Sequence, residues 1–148
     1  MESRIQAFSE TLSELMEDAQ MGVNKLAETA NCDKAAIRRW FYNMYLPDPQ
    51  TLIKITNVFN ISADYLFGLT DEKEFEKVLS NDTFYQRYSR LRDNAGYSDY
   101  FVSNKLNIRD SAISKWKNIK SFPTTISLLK LADFFHCSLE YLLGRSAS

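Results

Sequence analysis

Few side chains in this sequence stand where they could do chemistry. The two cysteines, Cys32 and Cys137, belong to no short paired spacing, so neither a metal site nor redox exchange is implied. The one histidine, His136, has no carboxylate or thiol at a ligand spacing, and an imidazole there suits the capping of helix carbonyls instead. No glycine-rich phosphate loop, nucleophile elbow or paired-carboxylate signature occurs. An enzyme is therefore not expected, and no catalytic, cofactor-binding or metal-binding residue is assigned. What remains are cations at helical spacing, Lys34, Arg38 and Arg39 early in the chain and Lys115, Lys117 and Lys120 late, with Asp110, Ser111 and Asn118 among the latter. On spacing alone, Lys34, Arg38 and Arg39 read equally well as the solvated face of a helix. The choice rests on the elements that carry them.

Of 148 residues, 45% are hydrophobic and 25% charged, enough apolar matter for a packed core and too much for a disordered chain. Four glycines and three prolines leave little room for loops, and apolar residues recur at helical spacing without convincing strand alternation. The fold class expected is all-α. No apolar run is long enough to cross a bilayer, and the start lacks the layout of a secretory signal, so a cytoplasmic protein with no membrane partner is expected. The formal net charge of -1 hides an asymmetry: residues 1–72 hold 6 Lys+Arg against 11 Asp+Glu, whereas residues 73–148 hold 12 against 8.

An ungapped internal repeat at an offset of 76 organises the chain. It pairs Phe8 with Phe84, Leu15 with Leu91, Asn31 with Asn107, Ile37 with Ile113, Trp40 with Trp116 and Pro47 with Pro123. Leu52, Lys54, Phe59, Ser62, Tyr65, Leu66 and Gly68 continue it onto Leu128, Lys130, Phe135, Ser138, Tyr141, Leu142 and Gly144, for 16 identities over residues 8–68. Chance would supply a handful, so two copies of one domain are expected, over residues 1–69 and 82–148.

Each copy resolves into five short helices. Ile5, Phe8, Leu12, Leu15, Met16 and Ala19 mark the apolar stripe of helix 1, as Phe84, Tyr88, Leu91 and Ala95 do in the second copy. Helix 2 runs over about 23–30 or 99–106, with Ser98 as a cap, and ends at an Asn that tolerates the left-handed backbone of a sharp corner. Helix 3 starts near Asp33 or Arg109, helix 4 follows Pro47 or Pro123, and helix 5 is capped by Ser62 or Ser138 and stopped by Gly68 or Gly144. Trp40 and Trp116 lie three residues after a buried Ile and so belong to the core. Cys32 and Cys137 stand where the other copy has Ile108 and Ile61, which favours apolar filler. Between the copies, 70–81 places Phe75, Val78 and Leu79 on one face, and a short amphipathic linker helix that buries all three is expected.

Leu26, Ala27, Asn31, Cys32, Ile37 and Trp40, with Val102, Ser103, Asn107, Ile108, Ile113 and Trp116, supply the apolar packers, the small residue at the crossing and the turn former of a helix-turn-helix. The whole of each copy resembles the Cro/repressor-type (XRE-like) family of phage and bacterial regulators. The resemblance implies two tandem five-helix lambda-repressor-like domains and double-stranded DNA as partner, with no small-molecule substrate. It further implies that helix 3 sets its first residues against base edges, here Lys34, Ala35 and Arg39, and Asp110, Ser111 and Lys115. Arg38, Lys117, Asn118 and Lys120 would lie on phosphates.

The family usually opens helix 2 with a phosphate-contacting Gln, where this chain has Val23 and Asp99. The loop after helix 3 in the first copy, residues 41–46, is aromatic and uncharged. Phe41, Tyr42 and Tyr45 are assigned there to a protein interface, either a homodimer or a separate partner. Two functions follow: a sequence-specific transcriptional regulator, of phage or mobile-element repressor type, or an antirepressor, antitoxin or inhibitor that reuses the scaffold, above all in its first domain.

Overall fold

In the structure, a computed structural model describing residues 1–42 and 45–148, the chain divides into two compact units, Met1–Phe75 and Glu76–Ser148. Each holds five helices and, among the described residues, no strand. The first carries α1 (Glu2–Asp18), α2 (Val23–Ala30), α3 (Lys34–Tyr42), α4 (Pro49–Phe59) and α5 (Ala63–Leu66). The second carries α6 (Phe84–Ala95), α7 (Asp99–Leu106), α8 (Asp110–Lys117), α9 (Thr125–Phe135) and α10 (Leu139–Leu142).

Local chemistry accounts for most helix ends. The side chains of Asp48, Ser62, Thr83, Ser98, Thr124 and Ser138 each accept a hydrogen bond from a first-turn backbone N–H, satisfying a donor the helix itself cannot. Thr83 and Gln86 form a reciprocal capping box, and Pro49 takes a first-turn position where its missing N–H costs nothing. Asn31, Asn60, Asn107 and His136 end α2, α4, α7 and α9 in the left-handed region. His136 acts there through its backbone, its N–H bonding to the Ala132 carbonyl.

The two cores repeat each other. In the first unit, Phe8 stacks on Phe67 at 5.1 Å and meets Trp40 edge-on at 5.9 Å, over Leu12, Leu26, Ile37, Leu52 and Leu66. In the second, Phe84 and Tyr88 both meet Trp116 edge-on, at 5.2 and 5.8 Å, over Val102, Ile113, Leu128, Leu131 and Leu142. Both tryptophans are buried. Ala19 and Ala95, in contrast, fall beyond the packed part of helix 1 and are exposed, and Cys32 and Cys137 are only half-buried.

The linker helix expected over 70–81 is absent. Phe75 is half-buried, but Val78 and Leu79 are exposed. A helix of that length is marginal in water, and here its backbone groups have better partners. The Ser62 N–H donates to the Lys73 carbonyl at 2.8 Å, whose ammonium lies over the Tyr65 ring, so 70–75 close back on the first unit. The N–H groups of Val78 and Ser80 donate to the carbonyls of Arg145 and Gly144, both at 2.9 Å, which lays 76–80 along the second unit as an extended strap.

A left-handed corner penalises a branched side chain. Asn107→Val is expected to cost about 1–2 kcal/mol and to lower the melting temperature of the second unit by roughly 5–10 °C, while Asn107→Gly changes it little. Thermal unfolding followed by Trp116 fluorescence in a Trp40→Phe background measures both. Equal melting of the Val variant and its parent would show that the corner carries no such strain.

Candidate nucleic-acid interface

Ile37 and Trp40 turn α3 inward, and the opposite face leaves Lys34, Ala35, Arg38 and Arg39 in solvent. Asp33 caps this helix, accepting the Ala35 N–H at 3.1 Å. In α8, Ile113 and Trp116 face the core and Asp110, Ser111, Ser114 and Lys115 face out, followed by exposed Lys117, Asn118 and Lys120. The structure thus gathers the assigned residues of each copy on one outer surface, four in the first and six in the second. Asn118 is committed to the helix, its Nδ2 donating to the Ser114 carbonyl at 3.0 Å and, more weakly, to the Ser114 hydroxyl at 3.5 Å.

The corner before each helix 3 is anchored by a residue to which sequence reasoning assigned no role. The ammonium of Lys54 donates to the Asn31 carbonyl at 3.3 Å, and that of Lys130 to the Asn107 carbonyl at 3.5 Å, so helix 4 holds the corner in both copies. Their identity at the repeat offset was the available signal. In the second unit the small residue of the crossing, Ser103, is buried and donates to the Ile108 carbonyl at 2.6 Å, spanning the turn.

Positive charge in the second unit sorts into two kinds. Arg87, buried, donates to the carbonyls of Leu142 and Asp82; Arg90 pairs with Asp82, Arg92 with Asp99, and buried Arg145 with Glu140 at 2.8 Å. These arginines hold the fold. Lys115, Lys117 and Lys120 form no ion pair among the described residues. They are charge available to a partner, as are Lys77, Lys105 and Arg109, which are likewise exposed and without an ion pair among the described residues.

The loop expected over 41–46 starts later than its pattern suggests, since half-buried Phe41 and 81% exposed Tyr42 form the last turn of α3; Tyr45 is 60% exposed, and Asn43 and Met44 lie outside the described residues. Arg39, Trp40, Tyr45 and Lys54 border an open cleft of ≈ 450 Å³. The Cys32 thiol on its edge is pushed up by burial, away from a reactive thiolate.

The helix-turn-helix family profile matches residues 12–66 and 89–142, one stretch in each unit. The chain belongs to the helix-turn-helix family. A stretch of 60 residues, 40% of the chain, is 35% identical to the HTH-type transcriptional regulator ImmR of Bacillus subtilis (strain 168) and covers 47% of that protein, so the chain spans about half of this relative's length. No solved structure matches.

The second helix-turn-helix unit departs from the first where helix 1 meets helix 2. Asp99, at the start of α7, accepts hydrogen bonds from the Tyr85 and Tyr88 hydroxyls at 2.8 Å each and from Arg92 at 2.7 Å. Burial works to push its carboxyl up, and the bonds from Arg92, Tyr85 and Tyr88 outweigh that, so its pKa lies below the usual carboxylate value. The charge that stands in place of a phosphate-contacting Gln is therefore paired with Arg92 and turned toward α6. At the equivalent places the first unit has Ser9, Leu12, Met16 and Val23.

A depressed carboxylate contributes stability that is complete above its unfolded pKa, about 3.9, and is lost as pH falls through the lower folded value. Denaturant unfolding of the second unit, read from Trp116 in the Trp40→Phe background, should lose stability between about pH 5 and pH 2, and Asp99→Asn should flatten that loss. Parallel pH profiles for parent and variant would assign the acid sensitivity elsewhere.

Proposed function

We propose that the chain is a sequence-specific double-stranded DNA-binding transcriptional regulator, a cytoplasmic repressor of the phage or mobile-element type, in which the second unit dominates affinity. One observation carries this reading: three exposed lysines without an ion pair among the described residues, Lys115, Lys117 and Lys120, cluster at the end of the helix that follows the corner in the second unit. Cations at that place neutralise phosphates and release condensed counterions, while Ser111 and Lys115, one turn apart, suit hydrogen bonding to base edges in the major groove. The family membership and the ImmR likeness support the same reading. Occupying a site is enough to exclude another protein from it, which is the mode of repression proposed.

The expected outcomes separate the two kinds of contact. Lys117→Ala with Lys120→Ala should weaken all duplexes alike and lower the slope of log affinity against log salt by about one per contact. Lys115→Ala or Ser111→Ala should relax preference at particular base pairs, by about 1–3 kcal/mol for a lost bidentate contact. Lys34→Ala with Arg39→Ala should matter less. Titration of duplexes selected from a random pool measures all three. If the first-unit changes abolish specific binding and the second-unit changes do little, the proposed asymmetry is reversed; if neither set matters, DNA is not the partner.

The exposure of Tyr42 and Tyr45 favours a second role for the first unit, as a surface for a second copy or another protein. The acidic balance of residues 1–72 suits that role better than it suits DNA. Light scattering on a Tyr42→Ser, Tyr45→Ser double variant should then report a smaller species than the parent, and an unchanged mass would remove the assignment.

A further inference from the structure

Nine described residues take a positive φ, and eight of them are Gly, Asn, Gln or His. The ninth is Ile119, at φ 56°. A β-branched side chain is a poor occupant of the left-handed region. The position itself is required: the Ile119 N–H bonds to the Trp116 carbonyl at 3.2 Å and the Lys120 N–H to the Lys115 carbonyl at 2.9 Å, which closes the end of α8 through a left-handed residue. Asn118, a residue that tolerates this conformation, stands immediately before it in an ordinary right-handed geometry, φ -90°. Exchanging the two would remove the strain.

Nor does burial compensate. Ile119 is 75% exposed, the most exposed large apolar side chain of the second unit. Phe122, in the same loop, is tied to the core through Phe84 at 5.4 Å. In the free protein both the backbone and the side chain of this residue are unfavourable, and strain of this kind gathers where it serves a partner. Its neighbours say what partner: Lys117 and Lys120, on either side of it, are exposed and form no ion pair among the described residues.

We propose that Ile119 packs its exposed side chain against the deoxyribose face of the DNA backbone, between the phosphates taken by Lys117 and Lys120. The inference rests on the reading of the second unit as a DNA binder and adds an apolar contact to it. A sugar presents the same apolar face at every base pair, so the contact adds affinity without sequence preference.

Stability and binding should move in opposite directions. In the full chain, Ile119→Gly and Ile119→Asn should raise the melting temperature of the second unit by about 4–8 °C, and weaken both a selected operator and a scrambled duplex by about tenfold at fixed salt. Ile119→Val, which keeps the branch and most of the apolar surface, should stay near the parent in both. Because Asn keeps the left-handed geometry, its loss of affinity reports the side chain and not a rearranged loop. Variants that melt higher yet bind as the parent does would overturn the contact, and no rise in melting temperature would overturn the strain. A loss confined to duplexes with thymine at one position would replace the sugar by a base methyl group. Lys120→Ala distinguishes the levels: if it flattens the salt dependence while the Ile119 variants bind normally, this inference alone fails. If the parent binds no duplex, the DNA reading fails with it.

Discussion

A single left-handed residue between two short helices, Asn31 at φ 54° and Asn107 at φ 53°, sets the direction in which helix 3 leaves helix 2. Everything that follows in each unit depends on that angle. It places Ile37 and Trp40, or Ile113 and Trp116, against the core, and so leaves the remaining faces of α3 and α8 in water. The corner carbonyl would be an unpaired acceptor at a helix end without a partner; Lys54 and Lys130 supply one from helix 4. In each unit the exposed face is thus set by a backbone conformation, two buried anchors, an isoleucine and a tryptophan, and one long side chain, none of which lies on that face.

The two copies solve one packing problem by different chemistry. Where helix 1 meets helix 2, the first unit packs Leu12 and Met16 in its buried core, whereas the second uses a carboxylate, two phenols and a guanidinium. Apolar packing is tolerant in direction; hydrogen bonds to Asp99 are not, and a network with every member satisfied holds a narrower geometry. The closing turn differs too. Arg4 reaches the Phe67 and Gly68 carbonyls from the start of α1, at 3.4 and 3.1 Å, while Arg87 reaches the Leu142 carbonyl from within α6. Ungapped repetition of the backbone has not kept the polar contacts in register.

Much of this was legible in the residues themselves. Caps, corners and terminal glycines are local, so Ser62, Ser98, Ser138, Asn31, Asn107, Gly68 and Gly144 announced their positions, and α2 and α7 begin and end where the pattern placed them. Tertiary competition was not legible. The stretch 70–81 has a credible amphipathic pattern, but its Lys73 carbonyl is taken by the Ser62 N–H and its Val78 and Ser80 N–H groups by the Arg145 and Gly144 carbonyls, and periodicity carries no information about such competitors. Charge counting likewise could not separate the arginines that pair within the second unit from the lysines that do not. Ile119 was hidden for another reason: sequence propensity would have given the left-handed place to its neighbour, Asn118.

The strap over 76–80 bears on where a domain ends. Helix boundaries suggest a cut just before Phe84, yet the Gly144 and Arg145 carbonyls take their bonds from Ser80 and Val78, and buried Arg87 donates to the Asp82 carbonyl. Gly144 has little freedom to adapt, since a side chain there would lie about 3.0 Å from the Arg87 guanidinium. A fragment trimmed to its helices would expose two backbone acceptors and leave buried Arg87 with the Leu142 carbonyl but without that of Asp82. The second unit thus begins with residues that belong to no helix, and its boundary follows hydrogen-bond closure and not secondary structure.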